Sequence, residues 1–235
     1  MEEFDAEEQE RLATYLNLRR LRDTQRVGAD LTGFLEKHCF SRVIEKARRA
    51  YPLEFAERVE IYIEKGLLEL IKNEALASNQ EQLERICMLA YDVKFDGNSA
   101  KLTVSDVYDW KRMLAEVGEP KRTSTGVATT NAHACALAHS TPEKQYSTFH
   151  THVGGNACPS VTDISNHLLG RIGFVAATTN GRFFLVPYRG DSKHYYSPEQ
   201  AFVPQENLEI IVMDNGRELA RGKGILNLAE LTTHS

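Results

Sequence analysis

Two histidines, a serine and an aspartate lie within the stretch FHTHVGGNACPSVTD, residues 149–163. Side chains at positions i and i+2 of a β-strand point to the same face. If the YSTFHTH segment is a strand, His150 and His152 therefore lie side by side. A loop with two glycines then turns the chain, Ser160 begins a helix, and Asp163 lies one turn further on. Two neutral imidazoles and one carboxylate, with a fourth position open to water, are typical of a catalytic zinc site.

Both halves of this pattern also have simpler interpretations. Ser160 and Asp163 form the S-x-x-D pattern of a capping box, which satisfies backbone N–H groups at a helix start without any metal. Two histidines on a strand are also common as surface residues or as hydrogen-bonded core residues. The joint pattern is more specific, because both halves must occur at a fixed spacing across the glycine-containing loop.

The complete spacing, H-x-H-x7-S-x-x-D, resembles the motif of the JAMM (MPN+) zinc metalloproteases. This Mov34-type family includes deubiquitinating isopeptidases and their bacterial and archaeal relatives. The resemblance covers residues 100–235 and departs from the family at Val153, where proline is very frequent. It implies an α+β fold, in which an MPN/JAMM-type (cytidine-deaminase-like) sheet is flanked by helices.

The same resemblance implies roles for individual residues. By match to the motif, His150, His152 and Asp163 bind Zn²⁺. Ser160 donates a hydrogen bond to the zinc-bound water or to the developing oxyanion. Zinc lowers the pKa of bound water to about 7 and polarises a carbonyl group. The family also needs an upstream glutamate that takes the proton from this water and passes it to the leaving amine.

Two glutamates are candidates for this general base. The family usually places it at the start of a strand, seven residues before a glycine, and Glu119 lies at that offset from Gly126. Glu116 lies in an E-V-G context that also resembles the family, but it falls within a predicted helix, and Pro120 separates it from the strand. The sequence therefore predicts Glu119 as the general base and leaves Glu116 as the alternative.

Composition limits the classes of partner. The 235 residues are 42% hydrophobic and 26% charged, so the chain can bury a sizeable core. A net charge of −5 argues against a nucleic-acid binder, including a relative in the manner of the RadC family, because such proteins need a basic face. We expect no membrane span or signal peptide, since apolar runs are short and the N-terminus is acidic. Four scattered cysteines indicate thiols in a reducing cytoplasm.

The chain is predicted to contain two domains, a helical one over residues 1–95 and a JAMM/MPN-like one over residues 96–235. Apolar residues recur at spacings of three and four in LEFAERVEIYIEKGLLELIKNEAL, which predicts an amphipathic helix. Ser78 is expected to open another helix, SNQEQLERICMLAYDV. The predicted N-terminal helices are candidates for recruiting a partner, for self-association or for covering the site.

Short strands and turns are predicted in the second domain. Asp96-Gly97, Asn180-Gly181 and the Asp-Asn-Gly triplet at 214–216 predict β-hairpins. Ser105 is expected to cap a helix that Gly118 ends.

A second group of chemically capable residues lies in HACALAH. If this segment is a strand, His133, Cys135 and His139 share one face and form a candidate second metal site. The alternative is a half-buried strand whose polar atoms are incidental.

These observations favour a zinc-dependent metalloprotease that hydrolyses a peptide or isopeptide bond. The resemblance implies a protein substrate, such as the C-terminal tail of a ubiquitin-like or sulfur-carrier-like protein. The alternative is an MPN-type protein-interaction scaffold with little or no catalysis, in which case neither candidate glutamate reaches the metal.

Overall fold

The computed structural model describes residues 4–23, 33–34, 37, 39–141, 143–155, 157–189 and 204–229. In chain order the elements are α1 (Ala6–Asp23), α2 (Ser41–Ala50), α3 (Pro52–Phe55), β1 (Arg58–Glu64), α4 (Lys65–Glu81), β2 (Ile86–Asp96), β3 (Ser99–Tyr108), α5 (Trp110–Val117), β4 (Arg122–Thr123), β5 (Gly126–Val127), α6 (Thr130–His139), β6 (Lys144–Thr151), α7 (Val161–Asn166), β7 (Ile172–Thr179), β8 (Arg182–Arg189), β9 (Leu208–Asp214), β10 (Arg217–Lys223) and β11 (Leu226–Ala229). None of the helices among these residues is long and apolar enough to cross a membrane.

The chain groups into two compact units, whose bounds differ from the predicted division at residue 95. The first unit contains the described residues of Met1–Ala56, Ser160–Arg171 and Arg189–Val203. The second unit contains those of Glu57–Pro159, Ile172–Tyr188 and Pro204–Ser235.

The first unit is built from short helices around one apolar cluster. Helix α2 contributes Val43, Ile44 and Ala47, which recur at helical spacing and are buried. Helix α1 contributes Tyr15, whose ring stacks on that of Phe55 with centroids 6.0 Å apart. The predicted helicity of this part of the chain is therefore confirmed for α1 and α2.

The second unit is built on a nine-stranded mixed sheet with the strand order β10–β9–β1–β3–β2–β6–β7–β8–β11. Strand β1 pairs in parallel with β3 and β9, and β6 pairs in parallel with β7. Strand β2 is antiparallel to both β3 and β6. The predicted fold class, a helix-flanked MPN/JAMM-type sheet after an all-helical N-terminal region, is therefore wrong. A large sheet with few helices dominates, and β1 and β2 lie inside the region expected to be helical.

Strands β1 and β2 show why the helical prediction failed. In β1, Val59, Ile61 and Ile63 are fully buried and alternate with partly exposed residues, which is the period of a strand. Val59 and Ile63 are also four residues apart, so these two residues fit the period of a helix as well, whereas Ile61 does not. In β2, the run from Ile86 to Tyr91 is continuously buried and has no period that separates a buried strand from a buried helix.

Local turn signals were more reliable than the longer periodicities. Hairpins join β2 to β3, β7 to β8 and β9 to β10, as predicted. Gly118 ends helix α5, but the cap at its start is Asp109, whose carboxylate accepts a hydrogen bond from the Arg112 N–H at 2.8 Å. Ser105, the predicted cap, lies within β3. The HACALAH segment is helix α6 rather than a strand, in keeping with the helix propensity of its alanines.

Candidate metal centre

Two histidines lie at the end of β6. His150 is the penultimate residue of the strand and is buried, whereas His152 follows the strand and is half-buried. Their Nε2 atoms are 3.1 Å apart, and their ring centroids are 4.9 Å apart. The backbone N–H of His152 donates to the carbonyl oxygen of Ala176 on β7 at 3.0 Å, which continues the pairing of the two strands. The predicted common face of the two imidazoles is confirmed.

Strand β2 brings a glutamate to these histidines. Ile86 is opposite His150 in the antiparallel pair, so the residues just before β2 lie beside the end of β6. Glu84 is 5% exposed, and its backbone N–H donates to the Thr123 carbonyl oxygen at 2.9 Å. One ligand atom each from Glu84, His150 and His152 lies within 4.8 Å of the other two.

A chain of hydrogen bonds between buried groups holds the backbone on both sides of Glu84. The hydroxyl of Thr151 accepts from the Arg85 N–H at 2.9 Å and donates to Ser78 Oγ at 2.7 Å. Ser78 Oγ in turn donates to the Leu83 carbonyl oxygen at 2.7 Å. The Arg85 guanidinium pairs with Glu74 at 2.7 Å. The end of α4, the start of β2 and the end of β6 are therefore tied together, and Glu84 lies between two anchored neighbours.

Helix α6 places a third imidazole near this group. His133 Nε2 is 3.1 Å from Thr148 Oγ1 on β6. Burial, together with the nearby His150, lowers the pKa of His133 to about 4. His133 is therefore neutral at physiological pH, and it places an uncharged polar side chain near the histidine pair.

The glycine-containing loop after His152 is held close to α4 and β7. The Gly154 N–H donates to Asn79 Oδ1 at 3.2 Å, and the Asn79 amide donates to the Thr178 carbonyl oxygen at 2.6 Å. Gly155 has φ +100°, and a Cβ atom at this position would overlap the side chain of Thr179. Glycine is therefore required at Gly155 both for its backbone angle and for the close approach.

Ser160 and Asp163 belong to the first unit. Ser160 Oγ accepts a hydrogen bond from the Asp163 N–H at 3.1 Å, and Asp163 Oδ2 accepts one from the Ser160 N–H at 2.6 Å. This reciprocal pair is the capping box that the S-x-x-D pattern predicts, and it begins helix α7. The roles of Asp163 as a zinc ligand and of Ser160 as an oxyanion donor stay predictions.

The two glutamates predicted as the general base lie elsewhere. Glu119 is exposed in the segment between α5 and β4, and the structure groups Glu84 rather than Glu119 with the two histidines. Glu116 is exposed on the last turn of α5, where its Oε2 is 3.6 Å from His139 Nε2. No local sequence pattern marks Glu84, because Arg85 separates it from the apolar run ICMLAY, and that run fits a buried helix as well as a buried strand.

The donor set at this centre fits a zinc ion. Two imidazole nitrogens bound to one tetrahedral zinc at Zn–N distances of about 2.0–2.1 Å lie about 3.3 Å apart. The observed separation of 3.1 Å between the His150 and His152 Nε2 atoms is close to this value. A direct hydrogen bond between two neutral imidazoles has a similar length, so the nearby Glu84 carboxylate is the feature that distinguishes a metal centre from a histidine pair.

No model of a known protein family matches the chain, and no curated protein matches it.

Proposed function

We propose that the protein is a zinc-dependent peptidase of the JAMM type that hydrolyses a peptide or isopeptide bond. The observation that carries this proposal is the convergence of the Glu84 carboxylate with the imidazoles of His150 and His152. Glu84 and His150 are buried, and each of the three residues lies within two residues of the end of a central strand. The H-x-H-x7-S-x-x-D spacing supports the same chemistry.

The proposal gives each residue of the candidate site a distinct role. His150 and His152 hold the metal, and Asp163 is the third ligand by its match to the motif. Bound zinc supplies Lewis-acid catalysis and makes a water molecule more acidic. Glu84 would act as the general base, accepting a proton from the attacking water and returning it to the leaving amine. Ser160 donates a hydrogen bond to the oxygen on which negative charge develops.

Glu84 replaces Glu119 as the proposed general base. It lies upstream of the motif and two residues before strand β2, and the JAMM family usually places this glutamate at the start of a strand. It departs from the family pattern in one respect, because Tyr91 stands seven residues later instead of glycine. The pairing of β2 with β6 brings its carboxylate to the histidines without that glycine.

The substrate proposal depends on the motif alone. We propose an amide bond at the C-terminal tail of a ubiquitin-like or sulfur-carrier-like protein. We place the reaction in the cytoplasm because, among the described residues, which include all four cysteines, no disulfide is formed. Hydrolysis of amide conjugates of such proteins by the purified full-length chain is the direct assay.

Two variants decide between Glu84 as proton acceptor and Glu84 as zinc ligand. Two histidines and a glutamate are themselves a known catalytic zinc set, so both roles are chemically reasonable. Asp163→Asn keeps an oxygen that accepts the Ser160 N–H, and therefore keeps the capping box while removing the charged ligand.

If our proposal is correct, Asp163→Asn loses zinc by elemental analysis, and Glu84→Gln keeps zinc but loses hydrolysis. Zinc loss in Glu84→Gln with zinc retention in Asp163→Asn would instead make Glu84 the third ligand. A wild-type protein that binds zinc but cleaves none of the conjugates would favour the interaction scaffold.

A further inference from the structure

A second group of ligand-type side chains lies between helices α5 and α6. Glu116 is on the last turn of α5, and Cys135 and His139 are on α6. One ligand atom from each of the three lies within 4.8 Å of the other two. His139 Nε2 is 3.6 Å from Glu116 Oε2.

The local structure explains why these side chains meet. Cys135 and His139 are four residues apart on a helix and therefore share a face. The ring of His139 contacts two tyrosine rings, that of Tyr108 at 6.0 Å and that of Tyr146 at 5.6 Å between centroids. These two rings restrict the orientation of the imidazole whose Nε2 lies nearest Glu116.

We propose that Glu116, Cys135 and His139 form a second metal site, for a divalent ion of the zinc class. A thiolate, an imidazole and a carboxylate are a donor set that suits Zn²⁺ and not Mg²⁺ or Ca²⁺, which take oxygen ligands. Glu116 and His139 are exposed and Cys135 is half-buried, so an ion held by them would be open to solvent. This site is independent of the proposed peptidase centre.

An ordinary surface ion pair explains less of the arrangement. An exposed His–Glu pair contributes little to stability and does not require a thiol beside it. Burial and the neighbouring Glu116 also raise the pKa of the Cys135 thiol, so the metal-free site holds a protonated cysteine at neutral pH. Metal must displace this proton, and binding at this site therefore weakens as the pH falls.

Cobalt(II) titration of the full-length chain tests the proposal. A thiolate bound to Co²⁺ gives a sulfur-to-cobalt charge-transfer absorption in the near ultraviolet, which imidazole and carboxylate ligands do not give. We expect this absorption in the wild type and its loss in Cys135→Ala. Glu116→Gln should weaken Co²⁺ binding at this site at least about 10-fold, because even residues that only orient a ligand have effects of that size.

Cys158→Ala is the matched control, since Cys158 is the half-buried cysteine closest in sequence to the H-x-H motif. It should keep the charge-transfer absorption. Cys135→Ser provides a second variant with a smaller change of shape, and circular dichroism shows whether each variant is folded. The proposal is overturned if the wild type shows no thiolate absorption, or if the absorption depends on Cys158 and not on Cys135.

Discussion

Replacing Glu84 by glutamine removes a proton acceptor and leaves the size of the side chain nearly unchanged. Glu84 is 5% exposed, and one of its carboxylate oxygens lies within 4.8 Å of a ring nitrogen of each imidazole, so bulk water is a poor substitute for it. A general base contributes about 10²- to 10⁴-fold to the rate. At about 1.4 kcal/mol per tenfold change, this corresponds to about 3–5 kcal/mol of the activation free energy.

The assay compares kcat/KM for an amide conjugate of a ubiquitin-like protein with the zinc content of the same preparation. We expect Glu84→Gln to lose about 10²- to 10⁴-fold in kcat, with little change in KM and with one zinc still bound at this centre. Glu119→Gln makes the same chemical change at an exposed glutamate and should be close to wild type. Circular dichroism and a denaturant midpoint show that both variants are folded.

Two results would refute this reasoning. Full activity in Glu84→Gln means that the proton acceptor is another residue, and loss of activity in Glu119→Gln then returns the role to the residue predicted from sequence. Loss of zinc together with activity in Glu84→Gln means that the carboxylate binds the metal, and the centre is then a His₂Glu site.

Three further predictions, made with four substitutions, test the structure around the centre. Thr151→Val leaves a buried N–H without its acceptor and should lower the free energy of unfolding by about 1–3 kcal/mol, measured by urea denaturation. Gly155→Ala should cost about 3 kcal/mol through overlap with Thr179, whereas Gly154→Ala, with open space at its Cβ, should cost about 1 kcal/mol. In metal-free protein, His133 has a pKa of about 4 in the folded state and 6.5 when unfolded. The fold is therefore fully stable above pH 6.5, and it loses stability as the pH falls towards 4, because the unfolded state takes up the proton first. The free energy of unfolding should drop by up to about 3 kcal/mol over that window, and His133→Asn should flatten the drop.

The parts of the fold that the sequence predicts are those that local chemistry decides. The Asn180-Gly181 turn was predicted because left-handed backbone angles are needed at both positions and few residues adopt them, and the structure has φ of 49° and 70° there. The capping box at Ser160 was also predictable from local chemistry, since its two hydrogen bonds join residues that are three apart. Strand β2 was not predicted, because Ile86–Tyr91 is buried on both faces and therefore has no polar/apolar alternation. Its pairing with the neighbouring strands β3 and β6 decides its conformation.

The candidate centre also contains residues that local spacing predicts and one residue that it does not. The common face of His150 and His152 follows from a spacing of two within one strand, so the sequence was sufficient to predict it. Glu84 reaches the same place only because β2 pairs with β6 across 66 residues of chain, as the hydrogen bond from Arg85 to Thr151 shows. A family offset to a glycine could not find it, since sheet pairing and not a local sequence pattern brings this carboxylate to the histidines.

Helix α6 shows how an error in one element changes the predicted chemistry. Interpreted as a strand, its residues His133, Cys135 and His139 share a face. On a helix, each residue turns the direction by about 100°, so His133 and Cys135 point about 160° apart, whereas Cys135 and His139 point about 40° apart. The structure agrees with the helical geometry: His133 lies against Thr148, and Cys135 and His139 lie with Glu116. The single second site expected from the strand is therefore replaced by two separate environments, and substitutions at His133 and Cys135 test different contacts of the same helix.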